Sequence, residues 1–316
     1  MGWWTRYTLR RLLLYIPTLF CVTGLVFALM RFAPGDAAYM RLSEHGMDIT
    51  AENISAVRTE LGLDQPVWEQ YTLWLSRAAR LDFGRSAITN RTVFPDFAAH
   101  IGATVRLSLP AFAAAIIIAL FCGVFSSMYS GGWFDRVSRA ITILFMSAPA
   151  YCIGLVLILL FSVKLRLLPS FGAESARHYI LPCVTLAVGS VSSYARLIRA
   201  TMLEEFSREY IRTARARGVS ARVIVWRCAL RNAVTPIVTS LCMSLGLLLG
   251  GSAIVETIFS WPGVGKYLID AVMKRDYAVV QCCALCFAVF FVTLNLVADL
   301  LCMVLDPKLR HKRFVL

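Results

Sequence analysis

Six apolar runs, each long enough to cross a bilayer, constrain this chain more than any other feature. They are approximately Leu9–Met30, Val105–Tyr129, Val137–Val163, Ile180–Met202, Ala233–Phe259 and Val279–Leu305. A helical span needs about 20 predominantly apolar residues. The composition agrees: 58% of the residues are hydrophobic and 16% are charged. A soluble domain would struggle to hide so much apolar surface, so the class is polytopic membrane protein. The first run is too long for a signal-peptide core and lacks a small-x-small cleavage site, which makes it a retained span.

Basic residues set the expected orientation. Arg6, Arg10 and Arg11 precede the first run, and Arg136 and Arg139 flank the second loop. Arg196, Arg199, Arg208, Arg212, Arg215, Arg217, Arg222, Arg227 and Arg231 crowd the fourth, and Lys308, Arg310, Lys312 and Arg313 close the chain. In a six-span topology all of these fall on one side, which is then the cytoplasmic side, with both termini inside. The formal net charge of +13 therefore belongs to anionic lipid headgroups and topology rather than to nucleic acid.

These runs divide the chain into an N-terminal segment with the first span (1–30), an external helical subdomain (31–104), a five-helix core (105–305) carrying the loop 203–232, and a tail (306–316). The external segment is too long and too patterned for a linker. Ile54, Val57 and Leu61 fall at helical spacing after the possible cap Thr50. A second stripe, Val67, Tyr71, Trp74, Leu75 and Ala78, follows Asp64 and Pro66. Two amphipathic helices there can cover the membrane domain, receive something from outside, or both.

The loop Glu209-Tyr210-Ile211-Arg212-Thr213-Ala214-Arg215-Ala216-Arg217-Gly218 stands apart. Its Ala, Arg and Glu residues favour helix, and Gly218 can end that helix in the left-handed conformation. Ser220 can cap a second short helix through Ala229. Thr213, Ala214, Ala216 and Gly218 leave a close-contact face, while Arg208, Arg212 and Arg215 point elsewhere. Positive-inside charge alone does not need such order, so a docking surface is expected.

Catalytic patterns are missing. There is no GxxxxGK[ST] loop, no GxGxxG after a strand and no HExxH. Gly263-Val264-Gly265-Lys266 lacks the glycine spacing and the following Ser or Thr, and the four histidines are scattered. An enzyme is not expected, nor a resident metal or cofactor. Cys282, Cys283 and Cys286 lie inside the sixth run with no histidine nearby, where Cys packs as a small hydrophobe. Nine of the ten cysteines fall in apolar runs, so no disulfide framework is implied. Gly246-x-x-x-Gly250 permits close helix approach. Glu256 and Asp299 lie within or near the ends of spans, where a carboxylate either lines a polar path or is paired structurally.

The loop through Gly218, continuing to Ala229-Leu230-Arg231-Asn232-Ala233 and Pro236, resembles the EAA loop of binding-protein-dependent ABC importer permeases. More narrowly, it resembles the first permease subunit of the dipeptide/oligopeptide/nickel type. Further matches run along the chain: Pro34-Gly35-Asp36; Leu61-Gly62-Leu63-Asp64-Gln65-Pro66; Asp82-Phe83-Gly84-Arg85-Ser86; Leu181-Pro182; Glu256 through Gly265; Arg275-Asp276-Tyr277; Asn295 with Asp299; and Asp306-Pro307-Lys308-Leu309-Arg310. Ala37, Ala278 and Lys308 depart from common family residues, and the strict Glu-Ala-Ala start is absent.

The resemblance implies a type I importer permease fold, all-α, with six spans and a helical periplasmic insertion after the first. It implies a bacterial inner-membrane subunit that pairs with a second homologous permease. Two ABC ATPases, which handle ATP and Mg²⁺, dock beneath, and a periplasmic or extracellular solute-binding protein delivers cargo. Glu209, Tyr210, Thr213, Ala214, Ala216 and Gly218 would form the ATPase-docking coupling helix. Leu61, Asp64, Tyr71 and Trp74 would meet the binding protein. The Leu81–Gly84 and Ser260–Gly265 wordings and Gln281-Cys282 lean toward the nickel branch, so the implied cargo is a nickel chelate or a short peptide. A secondary transporter is the alternative, but no internal repeat supports it.

Overall fold

The computed structural model describes residues 3–32, 37–44, 46, 48–60 and 62–305. Pro34-Gly35-Asp36, Leu61 and the tail 306–316 lie outside them. Among the described residues there is no strand, only an isolated bridge between Arg85 and Thr92. The rest is helix and connecting turns, as the unbroken apolar runs predict. The chain divides into two compact units, Met1–Thr104 with Pro262–Thr293, and Val105–Trp261 with Leu294–Leu316.

The first unit contains α1 (Trp3–Phe32), α2 (Ala37–Glu44), α3 (Ala51–Glu60) and α4 (Val67–Ala78). It also holds the start of α5 (Val93–Met128), α12 (Val264–Met273) and most of α13 (Tyr277–Leu305). Helix α3 starts as its sequence predicts, with the Thr50 hydroxyl accepting the Asn53 N–H at 3.2 Å. The core of this unit gathers Ala78, Phe83, Val93 and Phe97 with Val264, Ala271, Val279, Val280, Cys282 and Cys283. The paired cysteines are thus packing residues in an apolar cluster.

The second unit contains the rest of α5, α6 (Trp133–Ser147), α7 (Ala150–Leu157), α8 (Ala176–Ser207), α9 (Glu209–Ala216), α10 (Ala221–Val223) and α11 (Leu230–Ile258). Helices α5, α8 and α13 are each long and apolar enough to cross a membrane, and α1 has an apolar stretch at Leu13–Leu29.

The third apolar run differs from the uninterrupted span expected for Val137–Val163. It is a bent pair, α6 followed by α7 and a π-helical turn at Ile158–Lys164, with 102° between the two arms. The break has a local cause. Proline disfavours helical backbone in the residue before it, and Ala148, ahead of Pro149, is extended at φ −85°, ψ 125°.

A second difference follows the Arg-rich loop. The short helix expected from Ser220 to Ala229 is not separate. After α10 the chain takes a π-helical turn, Ile224–Ala229, and runs directly into α11. Ser220 occupies the N-cap position, but its side chain makes no capping bond. The apolar core here joins Ala195, Ile198 and Met202 of α8, Ile211 of α9, Ile224, Val225 and Ala229 of the π turn, and Ala233 of α11. At Gly123 on α5 an added β-carbon would lie 2.8 Å from the Ile198 Cβ. Glycine is what allows α5 and α8 to touch there.

Candidate functional site

The Arg-rich loop folds into a short helix fixed at both ends. Arg208, extended at φ −71°, ψ 148°, breaks α8 from α9. At the other end the Val219 N–H reaches the Ala214 carbonyl at 3.1 Å and the Gly218 N–H reaches the Arg215 carbonyl at 3.0 Å. With Gly218 at φ +73°, this is the Schellman ending that an αL glycine permits. One side of α9 is glued down. Ile211 is fully buried, and Ala214 and Val219 pack against the same cluster. Glu209, Arg212, Thr213, Arg215, Ala216, Arg217 and Gly218 are exposed. Of the small face read from sequence, Thr213, Ala216 and Gly218 therefore share the outer side, while Ala214 turns inward.

Tyr210 is 37% exposed, yet its hydroxyl is engaged. It donates to Glu205 Oε2 at 2.6 Å and accepts from Asn232 Nδ2 at 2.9 Å. Glu205 is itself buried, and its Oε1 lies 2.8 Å from Arg208 Nε. Burial, and then the Glu205 carboxylate, push the Tyr210 hydroxyl above its ordinary range.

A second buried carboxylate lies along α8. Asp135, near the start of α6, receives a fork from Arg199, Nε to Oδ1 at 2.7 Å and Nη2 to Oδ2 at 2.9 Å. The Ser126 hydroxyl donates to Oδ1 and the Gly131 N–H to Oδ2 at 2.9 Å. Bidentate, charge-assisted bonds of this kind are the strong ones. They tie the α5–α6 turn to α8.

In the first unit, α4 packs on α1 through its aromatic residues. Tyr71 Oη is 2.9 Å from Thr23 Oγ1, and the Tyr71 and Trp74 rings lie 5.3 and 6.2 Å from that of Phe27. Tyr71 and Trp74 thus hold the two helices together. The outward large apolar side chains of α4 are Val67, Trp68 and Leu73, with Trp68 66% exposed. Asp64 is exposed and pairs with Arg58 at 3.2 Å. Leu61 is outside the described residues.

Two motifs far apart in sequence meet in the same unit. The Ser86 hydroxyl donates to the Asp276 carboxylate, both residues being buried. Ser86 Oγ also accepts the N–H groups of Ile88 and Thr89. The Val264 N–H, at the start of α12, donates to Thr104 Oγ1 at 2.8 Å.

Family profiles cover most of the chain. Residues 115–311 match the binding-protein-dependent transport system inner membrane component, and residues 4–97 match the N-terminal component of the same system. The chain belongs to this permease family. The glutathione transport system permease protein GsiC of Escherichia coli strain K12 is 40% identical over 306 residues, spanning 97% of this chain and 99% of that protein. GsiC of Shigella dysenteriae serotype 1 matches to the same extent. Among solved structures, an inward-facing form of the MetNI methionine ABC transporter superposes with a TM-score of 0.57 at 20% identity, over 67% of this chain and 96% of that one. An amino acid ABC transporter crystallised with histidines gives 0.55 at 19%, over 66% and 92%. These likenesses show the fold, the type I importer permease.

The permease is thus a multi-pass inner-membrane subunit of an ABC importer, without catalytic function of its own, working in general with a second permease, ATPases and a binding protein. Several of its polar anchors escaped sequence reading. Asp135 and Glu205 fall in no recognisable motif, Asn232 enters only as part of the loop resemblance, and Arg199 only as one of many basic residues. The available signal was a carboxylate at the edge of an apolar run, where burial requires a partner.

Proposed function

We propose that the permease forms, with a second homologous permease, the path by which a short peptide crosses the inner membrane, driven by two ATPases that bind ATP and Mg²⁺ outside this chain. The Arg-rich end faces the cytoplasm, with both termini on that side, and α9 seats in an ATPase cleft. The observation that supports this reading is the build of α9. It is a glycine-ended helix anchored by Ile211, with Thr213, Ala216 and Gly218 exposed together. A helix fixed in this way can carry a push, whereas a solvated arginine run cannot. Glu209, Thr213, Ala216 and Gly218 form the outer docking face. Closure of the ATPase pair moves that face, and the spans alternate access between the two sides.

The test replaces Ala216 by Arg, and separately Thr213 by Trp, in the full importer. Both side chains are exposed, so folding is expected to survive. Copurification of the ATPases and cargo uptake should be lost together. Intact assembly and uptake in both variants refutes the docking face.

Short peptides are favoured over a nickel chelate because the relative that is 40% identical over nearly its whole length serves glutathione, a tripeptide. The motif wordings that lean toward the nickel branch are short beside that match. Cargo selection resides mainly in the binding protein. Mass spectrometry of the ligand carried by the cognate binding protein checks the class. A nickel complex there, and no peptide, overturns it. On the outer side, the exposed Trp68 and Leu73 of α4 and the Asp64 turn are open to that binding protein, whereas Tyr71 and Trp74 are held against α1.

A further inference from the structure

We propose that Tyr210 acts as a positioning strut, carrying motion of α9 into α8 and α11, rather than as a docking contact. This rests on the reading of α9 as the ATPase-docking helix.

Three helices converge on one phenolic oxygen. The hydroxyl donates to Glu205 on α8 and accepts from Asn232 on α11. Glu205 is held in turn by Arg208, the residue that separates α8 from α9. The network Arg208–Glu205–Tyr210–Asn232 therefore closes across both joints of the short helix. Apolar packing of Ile211 resists separation of α9 from its neighbours, but it is non-directional and does little against sliding or rotation. Hydrogen bonds to a buried carboxylate are directional, and those involving a charged group are stronger than neutral ones. The covalent link offers little stiffness of its own. The connection to α8 is one extended residue, and the connection to α11 passes through the turn at Gly218 and a π-helical segment, an element that is rare and seldom extends beyond a turn. The polar network is what makes the joint stiff in the direction that docking would push it.

The Tyr210→Phe variant keeps the ring and removes both hydroxyl bonds. The experiment uses the complete importer in proteoliposomes, with its binding protein and a cargo peptide identified from that protein. It measures ATPase copurification, ATP turnover and peptide transported per ATP. The expected result is normal copurification with transport per ATP reduced about tenfold, the scale of losing one hydrogen bond to a charged group. A merely structural defect would lower yield and ATP turnover together and leave that ratio unchanged. Glu205→Gln and Asn232→Ala should lower the same ratio, and combining either with Tyr210→Phe should add little. An unchanged ratio in Tyr210→Phe overturns the strut, as does an additive double variant. Loss of ATPase copurification in Tyr210→Phe also overturns it, by making Tyr210 a docking contact while the docking reading survives. The Ala216→Arg result decides that reading independently.

Discussion

Replacing Arg199 by Met strands a carboxylate that is already deep in the protein. The Asp135 side chain is 1% exposed and that of Arg199 21%, so this is a mostly desolvated pair. Removing one partner of a fully buried pair costs about 3–5 kcal/mol, chiefly because the other charge is left without compensation. Two features lower the figure here. Ser126 and Gly131 still donate to the carboxylate. Arg139 remains, its Nε 3.6 Å from Oδ1, although its side chain is 52% exposed and its attraction is screened. The expected loss is therefore about 2–3 kcal/mol. In detergent, heating followed by size-exclusion recovery should show an apparent midpoint lowered by about 4 °C or more. Arg199→Lys should fall between, because a single ammonium cannot reproduce the fork. Asp135→Asn combined with Arg199→Met should recover more than half of the loss, since the pair as a unit contributes little compared with the cost of breaking it. An Arg199→Met protein as stable as its parent would refute the reasoning. So would a double variant no better than the single.

Glycines test the packing by opposite signs. Gly123→Ala places a β-carbon 2.8 Å from Ile198 Cβ and 2.9 Å from the Ala195 carbonyl oxygen, and should cost about 1–3 kcal/mol by forcing α5 and α8 apart. Gly189→Ala on α8 meets nothing within 4 Å and should stabilise by about 0.5–1 kcal/mol, both read from thermal recovery in detergent. At Gly218 there is open space within this chain, so the fold of α9 itself feels only the φ of +73°; both Gly218→Val and Gly218→Asn put a side chain on the proposed docking face, and the Val variant should disturb uptake more, because Asn tolerates the left-handed region. Ser86→Ala leaves the buried Asp276 with one fewer donor and should make the segment 82–92 more open to limited proteolysis, whereas Ser86→Thr, which keeps the hydroxyl, should protect it. Equal cleavage of the parent and Ser86→Ala would show that this bond does not hold the segment.

The parts of the fold that were legible in sequence are those set by local chemistry. The apolar runs, the Thr50 cap, the α4 stripe and the Gly218 ending all follow from neighbours a few residues away. The break at Pro149 was legible in principle. Ala148-Pro149 sits inside an apolar run long enough for one span, and run length alone does not show the proline's effect on Ala148. The face of α4 was legible as a stripe but not by its destination. Periodicity placed Tyr71 and Trp74 together, yet only the contact with Phe27 and Thr23 shows that they hold α4 to α1. Residue type alone could not reveal the Ser86–Asp276 bond, whose partners are 190 positions apart. Ala214, half-buried against the cluster, poses a related problem. Small residues can serve a docking face or a close internal packing, and the sequence shows the size without the neighbour.

Among the basic residues, position relative to a buried carboxylate distinguishes two kinds that share one composition. Arg212, Arg215, Arg217 and Arg222 are exposed and contribute surface charge. Arg199 and Arg208 instead address Asp135 and Glu205, both buried. These two carboxylates engage α8 less than two helical turns apart on the same stretch, with the fully buried Ile198 and Met202 alongside them. Asp135 ties that stretch to the α5–α6 turn, and Glu205 ties it to α9 and α11. A helix held rigidly at two nearby points by directional bonds cannot slip against one neighbour without straining the other. The last turns of α8 therefore link α9 to the α5–α6 turn by directional bonds. On this geometry, loosening the Asp135 fork and loosening the Tyr210 network should impair transport per ATP in the same way, although only the first should greatly lower stability.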